Sequence, residues 1–285
     1  MWDQRLIDTE RGTFELFENG HGEPLAVTHL YSAFDKRGNS FANPFTSHYH
    51  VFLINLRGCG NSVKAENDHE YSMDETVLDL EAIRIALGFE KWGFAGHSTG
   101  GMLALKYAIL AQSSLTKIIA GGAAASVEYG SDPDSIYCSK NPNFNRIIYI
   151  MDQLNNTSTP IETRQKLGYE WALMSYYSEE KLKESLKLPN SGKTVGDRLD
   201  YFRKIECATY DIREELINIS VPSYIYSGKH DAQCPMKFSL EIANLIPNAT
   251  MTAFEESNHN PFSEEEEKFQ EFVQSTLEGA IPVRK

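Results

Sequence analysis

The sequence predicts an α/β fold: a mostly parallel central sheet, helices on both of its faces, and a helical cap inserted late in the chain. Three observations carry this. Short apolar runs bounded by turn residues recur, and several are apolar at consecutive positions, as strands buried on both faces of a parallel sheet must be. Segments with apolar residues three and four apart lie between them, the period of a helix laid on a sheet. From about residue 125 to residue 206 the strand pattern stops and only helical patterns remain.

The apolar runs place strands at residues 13–17, 25–28, 51–55, 92–95, 118–121, 223–227 and 250–254. The clearest helix opens at Ser72-Met73-Asp74-Glu75. There the Ser hydroxyl and the Glu carboxylate are expected to satisfy each other's orphan backbone donors. Val77, Leu80, Ile83 and Leu87 form its buried face, and Gly88 ends it. A second helix follows Ser98, apolar nearly all round, as suits a central helix packed closely on the sheet. Residues 143–154, 160–175 and 179–187 read as cap helices, and the strand–helix alternation resumes at Asp211. The division is a core of residues 1–125 and 207–285 with a cap of residues 126–206. The acidic run Glu264 to Glu267, after Ser263, reads as the solvated first turn of a final helix.

Composition narrows the function. At 285 residues with 41 % hydrophobic and 24 % charged residues, the chain can bury a large core and carries no disordered bias. A net charge of −13 repels polyanions, so nucleic acid and anionic membrane surfaces are poor partners. A small molecule or a short peptide is the expected partner; nothing in the sequence speaks to oligomeric state. The start, Met1-Trp2-Asp3-Gln4-Arg5, lacks the basic and apolar regions of a signal peptide, and no uncharged stretch is long enough to span a bilayer, so a cytoplasmic location is expected. Cys59, Cys138, Cys207 and Cys234 are scattered without a C-x-x-C pair and read as reduced, partly buried thiols. No metal-ligand spacing is present, and His48 and His50 read as structural.

Gly96-His97-Ser98-Thr99-Gly100 is a G-x-S-x-G match lying between a strand and a helix. The pattern works because it holds a serine on a tight, strained turn, which needs small residues two before and two after it. A serine hydroxyl is a poor nucleophile at neutral pH, so it needs a base, and the base needs an acid to fix its tautomer. After a nucleophile on such a turn, the acid and then the histidine follow in chain order. Asp231 lies just past the strand ending at Ser227, and His259 just past the one ending at Phe254, each able to project from the sheet's C-terminal edge. His97 should point away from Ser98, and His230 should pack at the strand end. A dinucleotide-loop reading of Gly58-x-Gly60 fails because Val63 stands where a third glycine belongs and no helix opens there.

With these motifs the chain resembles the α/β-hydrolase superfamily over almost its whole length, and within it most resembles the prolyl aminopeptidases (proline iminopeptidases). Gly96 to Gly101, Asn55-Leu56-Arg57-Gly58-Cys59-Gly60-Asn61-Ser62 and Ser257-Asn258-His259-Asn260-Pro261-Phe262 carry the first resemblance. Arg57-Gly58-Cys59-Gly60, Cys234-Pro235 and the position of the cap carry the second. The chain departs from that subgroup in lacking Gly-Gly-Pro-Gly after the third strand, and in having Thr99 where tryptophan is usual. The resemblance implies a cap after the sixth strand, no cofactor, and a serine hydrolase with Ser98, His259 and Asp231 as its triad. It also implies an oxyanion hole from the Thr99 amide and a second amide after His29; Leu30 replaces the usual glycine there, and Tyr31 is the best second donor. Three readings stay open: a prolyl aminopeptidase, a general carboxylesterase or lactonase, and a non-catalytic ligand-binding relative. An aminopeptidase must pair its substrate's ammonium with a carboxylate, for which Glu162, Glu170, Glu206 and Asp211 are the candidates.

Overall fold

The computed structural model describes residues 1–156 and 158–277. Its strands are β1 (Asp3–Thr9), β2 (Gly12–Gly20), β3 (Glu23–Val27), β4 (Ser32–Ala33), β5 (Tyr49–Ile54), β6 (Trp92–His97), β7 (Leu115–Gly121), β8 (Lys193–Thr194), β9 (Ser223–Gly228) and β10 (Ala249–Phe254). Eight form one sheet in the order β1-β2-β5-β3-β6-β7-β9-β10. β2 is antiparallel to both neighbours and every later pairing is parallel. β4 and β8 make a separate two-stranded pair.

The helices are α1 (Met73–Ala86), α2 (Thr99–Ala111), α3 (Phe144–Asn155), α4 (Ile161–Met174), α5 (Glu179–Ser185), α6 (Gly196–Tyr201), α7 (Arg213–Leu216), α8 (Met236–Leu245), α9 (Pro261–Glu264) and α10 (Glu266–Ser275). One buried cluster joins α1, α2 and α8 to one face of the sheet through residues such as Leu80, Leu103 and Ile242. A second, mostly aromatic, joins α10 to the other through Phe269, Phe272, Tyr226 and Phe254. Four helices, α3 to α6, lie between β7 and β9, after the sixth strand of the main sheet, and make the cap.

Seven strands lie where the apolar runs place them. β1 does not show in those runs because it is an edge strand: of its side chains only Ile7 is buried, so it has no apolar face to leave a pattern. The cap supplies two further surprises, α6 and the two residues of β8, both too short to display a period.

Two local readings need correction. Ser72 caps α1, its hydroxyl accepting from Glu75 N at 3.2 Å, but the return half of the capping box is missing. Ser72 N donates instead to His69 O, and the Glu75 carboxylate turns to Arg11. The acidic run also differs from expectation. Glu266 and Glu267 are exposed, but Glu264 and Glu265 are buried and hydrogen-bonded. The chain bends between α9 and α10, so one continuous solvated turn does not exist there.

The turn after β5 is fixed by a buried ion pair. Arg57 donates to both oxygens of Asp79, at 2.9 and 2.8 Å, and Asp79, only 1 % exposed, also accepts from Arg11 at 2.7 Å. Removing the carboxylate strips the buried Arg57 guanidinium of its closest partner and leaves it only Glu70, at 3.6 Å, as a carboxylate partner among the described residues, which costs about 3 kcal/mol. Asp79→Ala is therefore expected to lower unfolding free energy by that amount in denaturant titration. Because the pair lies away from Ser98, turnover per folded molecule should change little; a loss below about 1 kcal/mol would contradict this account.

Candidate active site

Ser98 lies between β6 and α2 with φ 57° and ψ −124°, the only non-glycine residue with positive φ among the described residues. Such a conformation costs on the order of 1–3 kcal/mol and persists only where neighbours enforce it. Here the enforcement is close packing of backbone. A Cβ on Gly96 would meet the Gly100 carbonyl oxygen at 1.9 Å, and one on Gly100 would meet the Thr28 carbonyl oxygen at 2.5 Å. Both positions must be glycine for β6, α2 and the end of β3 to approach this closely. Ser98 N donates to Gly121 O at 2.8 Å, and Ser98 O accepts from Gly101 N and Met102 N, so α2 starts immediately behind the side chain. Thr99 is its first residue, and first-turn amides have no acceptor within the helix.

His259 is 5 % exposed, and its Nδ1 lies 2.8 Å from Asp231 Oδ2. Asp231 is held in turn: its Oδ1 accepts from Gln233 N at 2.9 Å and Cys234 N at 2.8 Å. With Nδ1 bound to the carboxylate, Nε2 is the remaining ring nitrogen, and His259 and Ser98 line one cavity. Glu264 holds the loop around His259. One carboxylate oxygen accepts from Asn258 N and Asn260 N, both at 3.0 Å, and the other from Tyr177 N. Burial pushes this carboxyl up from its ordinary range, against the pull of the three amides. The sequence placed Glu264 in solvent; only its three-amide grip shows its part.

Of the neighbouring histidines, His97 takes a buried structural place, whereas His230 does not pack at the strand end as expected. His97 is buried, with Nδ1 2.9 Å from the Tyr226 hydroxyl and its ring stacked on Tyr226. His230 is exposed against Tyr177. His29 bridges the two candidate oxyanion segments: Nδ1 is 2.9 Å from Ser32 Oγ and Nε2 is 3.2 Å from Thr99 Oγ1. Tyr31 follows it, its amide donating to His29 Nδ1 at 3.5 Å, and both Tyr31 and Thr99 line the cavity with Ser98.

That cavity encloses about 620 Å³ between the cap and the C-terminal edge of the sheet. Its walls are largely aromatic and aliphatic: Tyr129, Tyr137, Trp171 and Phe202, with Ile148, Met151 and Leu154 presented by α3 and Leu199 by α6. The charged residues at its surface are Arg164, Lys193 and Arg203. None of the four proposed ammonium partners reaches it. Glu162 lies on the outer surface, Glu170 pairs with Arg146 at 2.6 Å, and Asp211 pairs with Arg213. Glu206 accepts from Met73 N at 2.7 Å, at the start of α1, where burial raises its carboxyl. The helix amide and dipole partner one oxygen of this carboxylate, and the other is buried with no hydrogen-bond partner among the described residues.

A family model for the alpha/beta hydrolase fold matches residues 21–266. The chain belongs to the α/β-hydrolase family. A solved α/β fold family hydrolase from Bacillus anthracis is 66 % identical to it and superposes with a TM-score of 0.96, covering 97 % of this chain and 99 % of that one. A proline iminopeptidase from Saccharolobus solfataricus is 25 % identical over 243 residues, 80 % of this chain and 76 % of its own length. AB hydrolase superfamily protein YisY from Bacillus subtilis is 26 % identical over 266 residues, 93 % of this chain and 95 % of its own length. The protein is thus an α/β-fold hydrolase with relatives whose names differ in what they say of substrate. Among the described residues no helix is long and apolar enough to cross a membrane.

The electrostatics of this hydrolase give a pH prediction. Burial pushes the His29 imidazole down to about 4, and the charges of His259 and Arg198 push the same way. The folded chain therefore binds this proton less tightly than the unfolded chain, whose imidazole titrates near 6.5. The resulting stability is present above pH about 6.5 and is lost as pH falls through about 4, up to about 3 kcal/mol in all. His29→Asn should remove it, so urea titrations between pH 7 and 4 should show a shallower acid loss in the variant. Equal slopes would contradict the assignment.

Proposed function

We propose that the protein is a serine hydrolase of small carboxylic esters that carry no free ammonium group. Ser98 Oγ attacks the ester carbonyl as His259 Nε2 takes its proton, while Asp231 holds the imidazole and stabilises its protonated form. The tetrahedral oxyanion is received by the amides of Thr99 and Tyr31, each donor worth roughly 3 kcal/mol of barrier. His259 then returns the proton to the departing alcohol oxygen. Water, deprotonated by the same imidazole, hydrolyses the acyl-enzyme and restores Ser98.

The observation that carries the serine reading is the strained backbone at Ser98, at the start of a helix and on the same cavity as the Asp231-bound His259. Strain of this kind clusters where geometry serves chemistry. The ester reading rests on the cavity's lining. An apolar chamber of this size suits an acyl or alcohol group. A substrate ammonium would meet Arg164, Lys193 and Arg203 there and no carboxylate, in a chain whose net charge is −13. Like charges disfavour such a substrate and do not disfavour a neutral or acidic one. The relative named proline iminopeptidase is similar at 25 % identity, and the lining argues against carrying its substrate over.

The cap boundaries, residues 126–206, form part of this proposal, supported by the run of helices from α3 to α6 over Ser98. So does a cytoplasmic location, with which four free cysteines agree.

Ser98→Ala should lower kcat on a p-nitrophenyl ester by a factor on the order of 10⁶ while leaving the unfolding midpoint in place. On a substrate panel, short and medium acyl esters should turn over, and prolyl anilide should not be preferred to its N-acetylated form. Full activity in the alanine variant would overturn the serine mechanism. Selective cleavage of the free prolyl amine would overturn the ester reading and restore the aminopeptidase.

A further inference from the structure

Arg198, in α6 of the cap, is only 1 % exposed, yet no carboxylate lies within ion-pair distance of it among the described residues. A charge taken so completely out of water must be compensated by hydrogen bonds. Its partners are all neutral. Nε donates to Leu30 O at 2.5 Å, Nη1 to Arg57 O at 3.0 Å and Nη2 to Thr76 Oγ1 at 2.8 Å, while the guanidinium lies 5.5 Å from the centre of the Tyr71 ring.

The first of these partners matters for the chemistry. Leu30 C=O and Tyr31 N–H belong to one peptide unit, which is trans, since no cis bond occurs among the described residues. In a planar trans unit the carbonyl and the amide hydrogen point in opposite directions. Whatever fixes the Leu30 oxygen therefore fixes where the Tyr31 N–H points: it donates to His29 Nδ1 at 3.5 Å, and His29 Nε2 in turn lies 3.2 Å from Thr99 Oγ1. The cap holds the next carbonyl too: Tyr31 O accepts from Val195 N at 2.8 Å, and Ser32 and Ala33 pair with Thr194 and Lys193. Phe202 packs on the Tyr31 ring at 6.2 Å.

We propose that Arg198 is a positioning residue for the oxyanion hole: from the cap it fixes the Leu30–Tyr31 peptide, whose N–H holds His29 against Thr99, and so sets how the two segments of the hole face the developing oxyanion. The inference rests on the serine-ester reading above and assigns the cap a part in the chemistry besides covering the cavity. A charge-assisted bond to the carbonyl also polarises the peptide, making its N–H the better donor.

The test counts turnover per competent site. Wild type, Arg198→Met and Arg198→Lys are each titrated to completion with a phosphonylating reagent that labels Ser98, and ester kinetics are expressed per labelled serine. Arg198→Met should lose roughly 10²-fold in kcat per labelled serine, the loss that follows when one oxyanion donor is removed, with KM changed less than about threefold. Affinity for a trifluoromethyl ketone, whose serine adduct carries the oxyanion, should fall in step with kcat/KM. Arg198→Lys keeps the charge and one bond, and should lose only about tenfold. A role confined to stability would lower the number of labelled serines and leave kcat per serine unchanged. Should the methionine variant not fold, the lysine variant decides. Wild-type kcat per labelled serine in whichever variant decides would overturn the inference alone, whereas a wild-type Ser98 that cannot be labelled would overturn the serine reading and this inference with it.

Discussion

The positive φ at Ser98 is a local cost that the whole sheet is arranged to impose. A serine adopts it only because the chain must turn from β6 into α2 within one residue, with Gly96 and Gly100 letting backbone come within van der Waals contact on either side. The turn exists because β6 is a central parallel strand flanked by β3 and β7, so its successor helix has to fold back at once over the sheet. The same parallel arrangement brings the ends of β3, β6, β9 and β10 to one edge. There His29, Ser98, Asp231 and His259 each lie in the loop or turn that follows a strand. Ligands gather at that edge in open α/β sheets for this topological reason.

Around that edge the rigid parts are held by polar groups buried for the purpose. Asp231 is fixed by two amides before it fixes His259, and Glu264 gathers three amides from the loop around that histidine and from the cap. Arg198 does for the loop after β3 what Glu264 does for the histidine loop, with carbonyls in place of amides. In each case a long side chain crosses from one element to satisfy backbone groups of another. An exposed loop could not hold its amides this still, because water would compete for every bond. The cap is thus joined to the core at two places that bear on the chemistry.

The substrate question turns on charge rather than shape. A chain with a net charge of −13 places three cations and no carboxylate on the surface of the apolar cavity that Ser98 lines. Its carboxylates are elsewhere, paired with arginines on the surface or serving helix ends, as Glu170, Asp211 and Glu206 do. This distribution is the ground on which the proposed substrate departs from the name of a relative at 25 % identity, proline iminopeptidase.

The sequence by itself determined the class of fold, seven strands of the main sheet, the cap's place in the chain, and the serine, aspartate and histidine that the sheet brings to one edge. Each was legible because its signal is local: a period of two or 3.6, a glycine two residues either side of a serine, a polar residue just past an apolar run. Tertiary structure alone decided the rest. The edge strand β1 has no apolar face to betray it, and the acidic residues offered for an ammonium group face away from the cavity. Glu264 looks like a solvated helix start until three amides are seen converging on it, and Arg198 meets Leu30 across 168 residues of chain. Contacts of that span leave no periodic trace, because which groups a buried charge satisfies depends on how separate elements pack and not on the residues beside it.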